Sequence, residues 1–186
     1  MSSITDFKPY ENPMIIAELS ANHGKDLNRV FQLIDCATEA GADAIKLQTF
    51  TPDTITLNSD SQSFQITGNH WEGETLYQLY ERAHLPWELH QEIFHYCANK
   101  GILCFSTPFD FTAVDFLEDL NTPIYKIASS ELVDIPLIEY VARTGKPTII
   151  STGMANEDEI SEAVDAFLKY SDKKHLTLLK CTAEYL

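Results

Sequence analysis

The sequence predicts an α/β chain, a partial (β/α)8 TIM barrel with about six strands present, truncated before strands seven and eight. Three observations predict it. Short apolar runs alternate with helical patterns along the whole chain, a polar or charged side chain closes every run, and the first turn lacks the glycine-rich dinucleotide fingerprint. Strands buried on both faces and joined by single helices mean repeated right-handed βαβ units and a parallel sheet. An open doubly wound sheet satisfies the alternation too. The polar strand ends favour the barrel, whose strands all deliver their carboxyl ends to one mouth, whereas an open sheet spreads them along an edge.

The first apolar run is Met14 to Ala17, closed by Glu18, and the turn after it reads Leu19-Ser20-Ala21-Asn22-His23-Gly24. Leu27, Val30, Phe31, Ile34 and Ala37 follow helical spacing, with Gly41 as the stop. The second run, Ala44 to Leu47, contains Lys46 and ends at Gln48. A third, Ile102 to Phe105, follows a helix carrying Ile93, Phe94, Cys97 and Ala98, and is closed by Ser106 and Thr107. Asp110 caps a helix bearing Ala113, Val114, Leu117 and Leu120, and Pro123 to Ala128, with Lys126 inside it and Ser129 after it, gives the fourth strand. Asp134 begins the next helix, Thr148 to Ser151 is the fifth strand, and Asn156 caps a helix with three acids in its first turn. Leu176 to Cys181 makes the sixth strand, followed by Thr182.

Between Thr51 and Pro86 lies one irregular connection carrying Phe64, Trp71, Tyr77 and Tyr80, long enough to imply a function. Leaving from the carboxyl end of the second strand, it either folds over the mouth or plugs the far end. The arm 1–12 precedes the barrel portion, 13–186. A closed barrel needs eight strands and about 250 residues, so strands one and six are expected to show open edges, with poor solubility, a partner or a continuation as the outcome. A small open-sheet protein is the alternative.

Lys46 and Lys126 sit inside runs of β-forming apolar residues, where an ammonium is costly to bury without an anion. Either they face an anionic ligand or each pairs with an Asp or Glu. The chain holds 13 basic and 28 acidic residues, net charge −15, which argues against nucleic acid and makes an internal basic pair a local exception suited to a small acidic substrate. No apolar run approaches the roughly 20 residues of a membrane helix, and no basic, apolar leader opens the chain, so a cytoplasmic location is expected. Cys36, Cys97, Cys104 and Cys181 are scattered and read as reduced core residues; His90 and His95, five apart, read as packing or surface side chains rather than joint metal ligands.

Five ordered motifs then resemble the sialic acid synthase family: Ile15 to His23, Gly41 to Thr49 with Thr51-Pro52-Asp53, Phe105-Ser106-Thr107-Pro108-Phe109, Tyr125-Lys126-Ile127-Ala128-Ser129, and Ser151-Thr152-Gly153. The resemblance runs from about Pro13 to the last residue, and one branch of the family is favoured by the segments Glu18 to His23, Ile45 to Thr49, and Trp71 through Glu81.

What it implies is condensation of phosphoenolpyruvate with an amino-sugar aldehyde, a 2,4-diacetamido-2,4,6-trideoxy hexose, to give a nine-carbon 2-keto acid and phosphate. By the same resemblance Lys46 and Lys126 hold phosphate and carboxylate, Thr107, Ser129 and Ser151 donate hydrogen bonds, and Gln48 and Phe109 shape the pocket. Glu18 transfers a proton or positions water, unless it only anchors a lysine; Glu131 lies close to the sugar, and Thr182 and Tyr185 are further substrate contacts. A divalent metal, manganese or magnesium, and a homodimer belong to that picture. The family's metal-binding histidines and its antifreeze-like domain fall beyond Leu186, so the chain as given is expected to bind no metal and to be inactive. Thr182-Ala183-Glu184-Tyr185-Leu186 departs from the family's usual continuation. The rival readings are a lysine Schiff-base aldolase and a non-catalytic sugar-binding fragment.

Overall fold

The computed structural model describes residues 13–68 and 71–181. Six strands form one parallel sheet in the order β1-β2-β3-β4-β5-β6: β1 Ile16–Glu18, β2 Ala44–Thr49, β3 Leu103–Pro108, β4 Tyr125–Ile127, β5 Thr148–Ser151 and β6 Leu176–Leu179. Each strand pairs with its sequence neighbour, so the order never reverses. Right-handed crossovers that always step in one direction place every helix on one face. That is barrel-type winding, and it removes the doubly wound alternative, which needs a switch point.

The helices are α1 Leu27–Glu39, α2 Pro52–Ile55, α3 Leu76–Ala83, α4 Trp87–Lys100, α5 Phe111–Asp119, α6 Ile135–Ala142 and α7 Glu157–Leu168. Their starts follow from capping chemistry: Asp110 accepts from Thr112 and Ala113 N–H, Asp134 from Leu137 N–H, and Asn156 forms a reciprocal box with Glu159. α4 ends at Gly101 with φ 74°, a left-handed position that favours glycine.

Period-two alternation divides the core into two layers. Ile45, Leu47 and Cys104 pack outward against α1 and α4, while Tyr125, Ile127 and Ile150 pack outward against α5, α6 and α7. On the other face Ala44, Phe105, Ile124 and Ile149 form their own cluster with Met14, Ile16 and Leu103, which is the barrel interior. Ile15, Leu178 and Leu179 on the two outer strands are exposed, at 52%, 44% and 38%. No helix among the described residues is long and apolar enough to cross a membrane.

Three expectations are corrected. β1 begins two residues later than the apolar run suggests, because Ile15 N–H donates to the Asp43 carboxylate instead of a ladder partner, and it ends at Glu18 as expected. The 51–86 connection is not irregular. It carries α2, a 3-10 turn at Gln62–Phe64 and α3, the last begun by a Thr75–Gln78 capping box. Cys97 and Cys104 are buried, but Cys36 is exposed and Cys181 only partly covered, so two of the four cysteines are not core residues. His90 is buried under Phe116 and His95 is exposed.

Candidate active site

Register carries the apolar interior upward into a polar layer. Glu18 lies beside Lys46, Lys46 beside Phe105, and Gln48 beside Thr107, while Lys126 lies beside Ile149. Parallel partners share a face, so Glu18, Lys46, Gln48, Thr107, Lys126 and Ser151 stand above Ile16, Ala44, Phe105, Ile124 and Ile149 at the carboxyl ends of the strands. Ser106, grouped with Thr107 by sequence alone, is corrected to the outer face: its hydroxyl lies 2.6 Å from Thr49 Oγ1, which is 2.9 Å from His90 Nε2. That network is fully buried, and burial lowers His90 to about 4, so it is a neutral strut behind the mouth.

The two lysines are held differently. Lys46 Nζ forms an ion pair with Glu18 and reaches Thr107 Oγ1 at 3.5 Å. Lys126 is 7% exposed; its Nζ donates to Ser151 Oγ at 2.5 Å and to the Ile127 carbonyl at 2.6 Å. Among the described residues no carboxylate forms an ion pair with Lys126. Burial, and then the positive charge of Lys126, lower Lys46 to about 7; contact with Glu18 opposes this and sustains the ammonium. Burial lowers Lys126 to about 8, against the opposing influence of Cys181 and Glu131. The effect of Lys126 on Lys46 places both ammonium groups in one electrostatic neighbourhood.

The hydroxyls complete a cradle. Ser151 accepts from Lys126 and Thr107 from Lys46; the Thr107 O–H is left to donate, while the Ser151 hydroxyl also hydrogen-bonds Cys181. Ser129 Oγ accepts from Gly153 N–H at 3.1 Å and lies 3.4 Å from Cys181 Sγ. Burial raises the Cys181 thiol, but hydrogen bonding from Ser129, Ser151 and the Thr152 and Gly153 amides outweighs it and lowers the thiol overall. A Cβ at position 153 would stand 3.0 Å from the Cys181 carbonyl and 3.2 Å from Ser129 Oγ, so glycine there permits the close approach.

Glu131, in the 3-10 turn Ser130–Val133 after β4, is raised by burial and accepts from Ser130 Oγ at 2.8 Å. Phe109 directly follows β3 and meets Phe50, which follows β2, edge-on at 5.4 Å. Phe50 in turn meets Tyr80 of α3 at 5.6 Å, and Lys25, in the loop after β1, donates to the Glu81 carbonyl at 2.6 Å. The long connection therefore sits at the mouth and not at the far end. Thr182 and Tyr185 lie outside the described residues. Sequence reasoning missed Gly153 and Cys181 as parts of the cradle; the position of Cys181 just beyond β6, where the other strands place polar groups, is the signal that could have found it.

The class defined by this fold and site is a (β/α) barrel unit with a polar, lysine-bearing mouth at the carboxyl ends of its strands. Comparison with known proteins refines it. The NeuB family model matches residues 33–186. A pseudaminic acid synthase of Campylobacter jejuni is 46% identical over 182 residues, 98% of this chain and 53% of that protein. One from Helicobacter pylori is 46% identical over 173 residues, 93% of this chain and 51% of that protein. The crystal structure of an N-acetylneuraminic acid synthetase from Leptospira borgpetersenii, in complex with citrate, superposes with TM-score 0.79 at 32% identity, covering 94% of this chain and 56% of that one. The chain belongs to the NeuB family. It spans about half the length of the curated relatives it matches.

Proposed function

We propose that this chain supplies the phosphoenolpyruvate-binding part of a nonulosonic acid synthase, which condenses phosphoenolpyruvate with a 2,4-diacetamido-2,4,6-trideoxy hexose to give pseudaminic acid and phosphate. One observation carries the reading: Lys126 is buried at the mouth, in one electrostatic neighbourhood with Lys46, and among the described residues its ammonium meets only neutral oxygens. A buried ammonium without a carboxylate is stabilised when an anion arrives. The identity to pseudaminic acid synthases favours this sugar over those of the neuraminate and legionaminate branches.

Lys46 and Lys126 hold the phosphate and carboxylate, with Thr107, Ser129 and Ser151 as hydroxyl donors. The enol carbon attacks the sugar aldehyde, forming the new carbon–carbon bond while the aldehyde oxygen takes up a proton. Water then adds at the carbon bearing phosphate and the carbon–oxygen bond breaks, leaving a 2-keto acid and phosphate. Glu18, tied to Lys46, stands where it can orient that water or pass the proton; Glu131 and Phe109 border the sugar end. The family resemblance implies a divalent metal, manganese or magnesium, that activates the aldehyde. Among the described residues no three His, Cys, Asp or Glu side chains gather as a metal site, and no step above is routed through one. The intact protein, on this reading, works as a homodimer in the cytoplasm.

The depressed lysines also suit an imine-forming aldolase. Turnover in heavy-oxygen water separates the two. Carbon–oxygen cleavage predicts phosphate free of the label; labelled phosphate, or a borohydride-trapped pyruvate adduct on Lys46 or Lys126, contradicts the synthase.

A further inference from the structure

The mouth is chemically lopsided. Its floor carries the two lysines, whereas its rim above β2 and β3 is aromatic: Phe50 stands edge-on to Phe109 at 5.4 Å and 78°, and to Tyr80 at 5.6 Å and 81°. Tyr80 is fixed rather than loosely draped. The capping box starts its helix, Tyr77 Oη donates to Asp53 at 3.0 Å across to α2, and the Tyr80 carbonyl accepts from His84 N–H at 2.9 Å. The Tyr80 phenol stays half-buried, and it lies near enough to Glu131 for that carboxylate to raise it, after burial. Phe50 is 3% exposed, so the wall's accessible ends are Tyr80 and Phe109, and of these only Tyr80 carries a polar group.

An anionic ligand end belongs on the cationic floor. A neutral end with apolar substituents belongs against the wall, because aromatic rings favour methyl and ring C–H groups while the phenol hydroxyl and a carboxyl satisfy amide and hydroxyl groups. We propose that Tyr80 is a specificity-determining residue for the acceptor sugar, its ring taking the acetamido and deoxy methyl groups and its hydroxyl acting with Glu131 on the sugar's polar groups. The inference rests on the synthase reading of the site and adds the residue that selects the sugar. Among the described residues no hydrogen bond or ion pair joins the Tyr80 side chain to Lys46, Lys126, Thr107, Ser129 or Ser151, so the two halves of the site are separable.

The test uses the intact protein with phosphoenolpyruvate and 2,4-diacetamido-2,4,6-trideoxy-altrose, with N-acetylmannosamine as competitor. Tyr80→Phe is expected to raise KM for the diacetamido sugar about tenfold, and Tyr80→Ala also to narrow the kcat/KM discrimination between the sugars about tenfold, with KM for phosphoenolpyruvate unchanged. If both sugars lose equally, or KM for the sugar is unmoved in Tyr80→Phe, the side chain only packs against Phe50 and the inference falls while the synthase reading stands. Tyr80→Phe keeps the ring, so the hydroxyl's role is tested even if Tyr80→Ala does not fold. Wild-type protein that turns over neither sugar overturns the synthase reading and this inference together.

Discussion

Lys126 Nζ and Ser151 Oγ, on adjacent strands, are 2.5 Å apart, and this hydrogen bond stands in for the ion pair that a buried lysine ordinarily finds. The serine hydroxyl also hydrogen-bonds the Cys181 thiol, so an incoming anion meets the ammonium as donor and competes with that thiol for the serine proton. Ser151→Ala leaves the ammonium short of an acceptor. It is expected to lower stability by about 1–3 kcal/mol and to weaken phosphoenolpyruvate binding by about tenfold or more, checked by urea unfolding and by ligand titration of the same sample.

The pH dependences of binding and of stability run in opposite directions. Anion binding requires protonated lysines, so affinity falls as pH rises through about 7 and then about 8, the values to which burial lowers Lys46 and Lys126. For stability the unfolded chain keeps its proton to the ordinary value of 10.5 while the folded chain has released it. Between those limits the unfolded state binds more protons, and these groups make stability rise with pH. Titration calorimetry across neutral to alkaline pH, paired with urea unfolding at each pH, reads both slopes.

Glu18→Gln removes the carboxylate from Lys46 and leaves its ammonium, among the described residues, with neutral oxygens only. Lys46 is then expected to lose its proton at lower pH than in the wild type, shifting the binding profile towards acid, and turnover of the intact protein is expected to fall by about a hundredfold if Glu18 positions the water or moves the proton. A merely anchoring Glu18 shifts the binding profile without a matching loss in kcat.

Gly153→Ala tests the cradle without touching a charge. The added methyl meets the Cys181 carbonyl at 3.0 Å, its sulfur at 3.2 Å and Ser129 Oγ at 3.2 Å, so the end of β6 must shift away from Ser129. Phosphoenolpyruvate affinity is expected to drop about tenfold with a change in stability under about 1.5 kcal/mol, measured by titration and thermal unfolding.

Much of this was legible in the residues. Six runs, their helices and the caps at Asp110, Asp134 and Asn156 follow from period and capping chemistry, which act locally. The lysines stood out because burial of charge is costly wherever the strand lies. What sequence could not decide depends on alternation and on distant contacts. Ser106 and Thr107 are adjacent and equally polar, yet only register against Leu47 and Gln48 sends Thr107 inward and Ser106 outward to Thr49. The end of the barrel covered by the 51–86 connection is set by Phe50 meeting Tyr80 and Phe109, contacts between residues far apart in the chain. Whether each lysine pairs with a carboxylate likewise depends on contacts between strands: among the described residues Lys46 does, and Lys126 does not.

On the synthase reading, Lys126 is kept buried and charged for an anionic substrate, at some expense to the fold. Calorimetric titration of phosphoenolpyruvate into wild-type protein and Lys126→Met tests it most directly. Replacing a buried charge by an apolar side chain of similar length is expected to leave thermal stability equal or higher while binding falls by at least about a hundredfold. Unchanged affinity in a folded Lys126→Met protein contradicts the account.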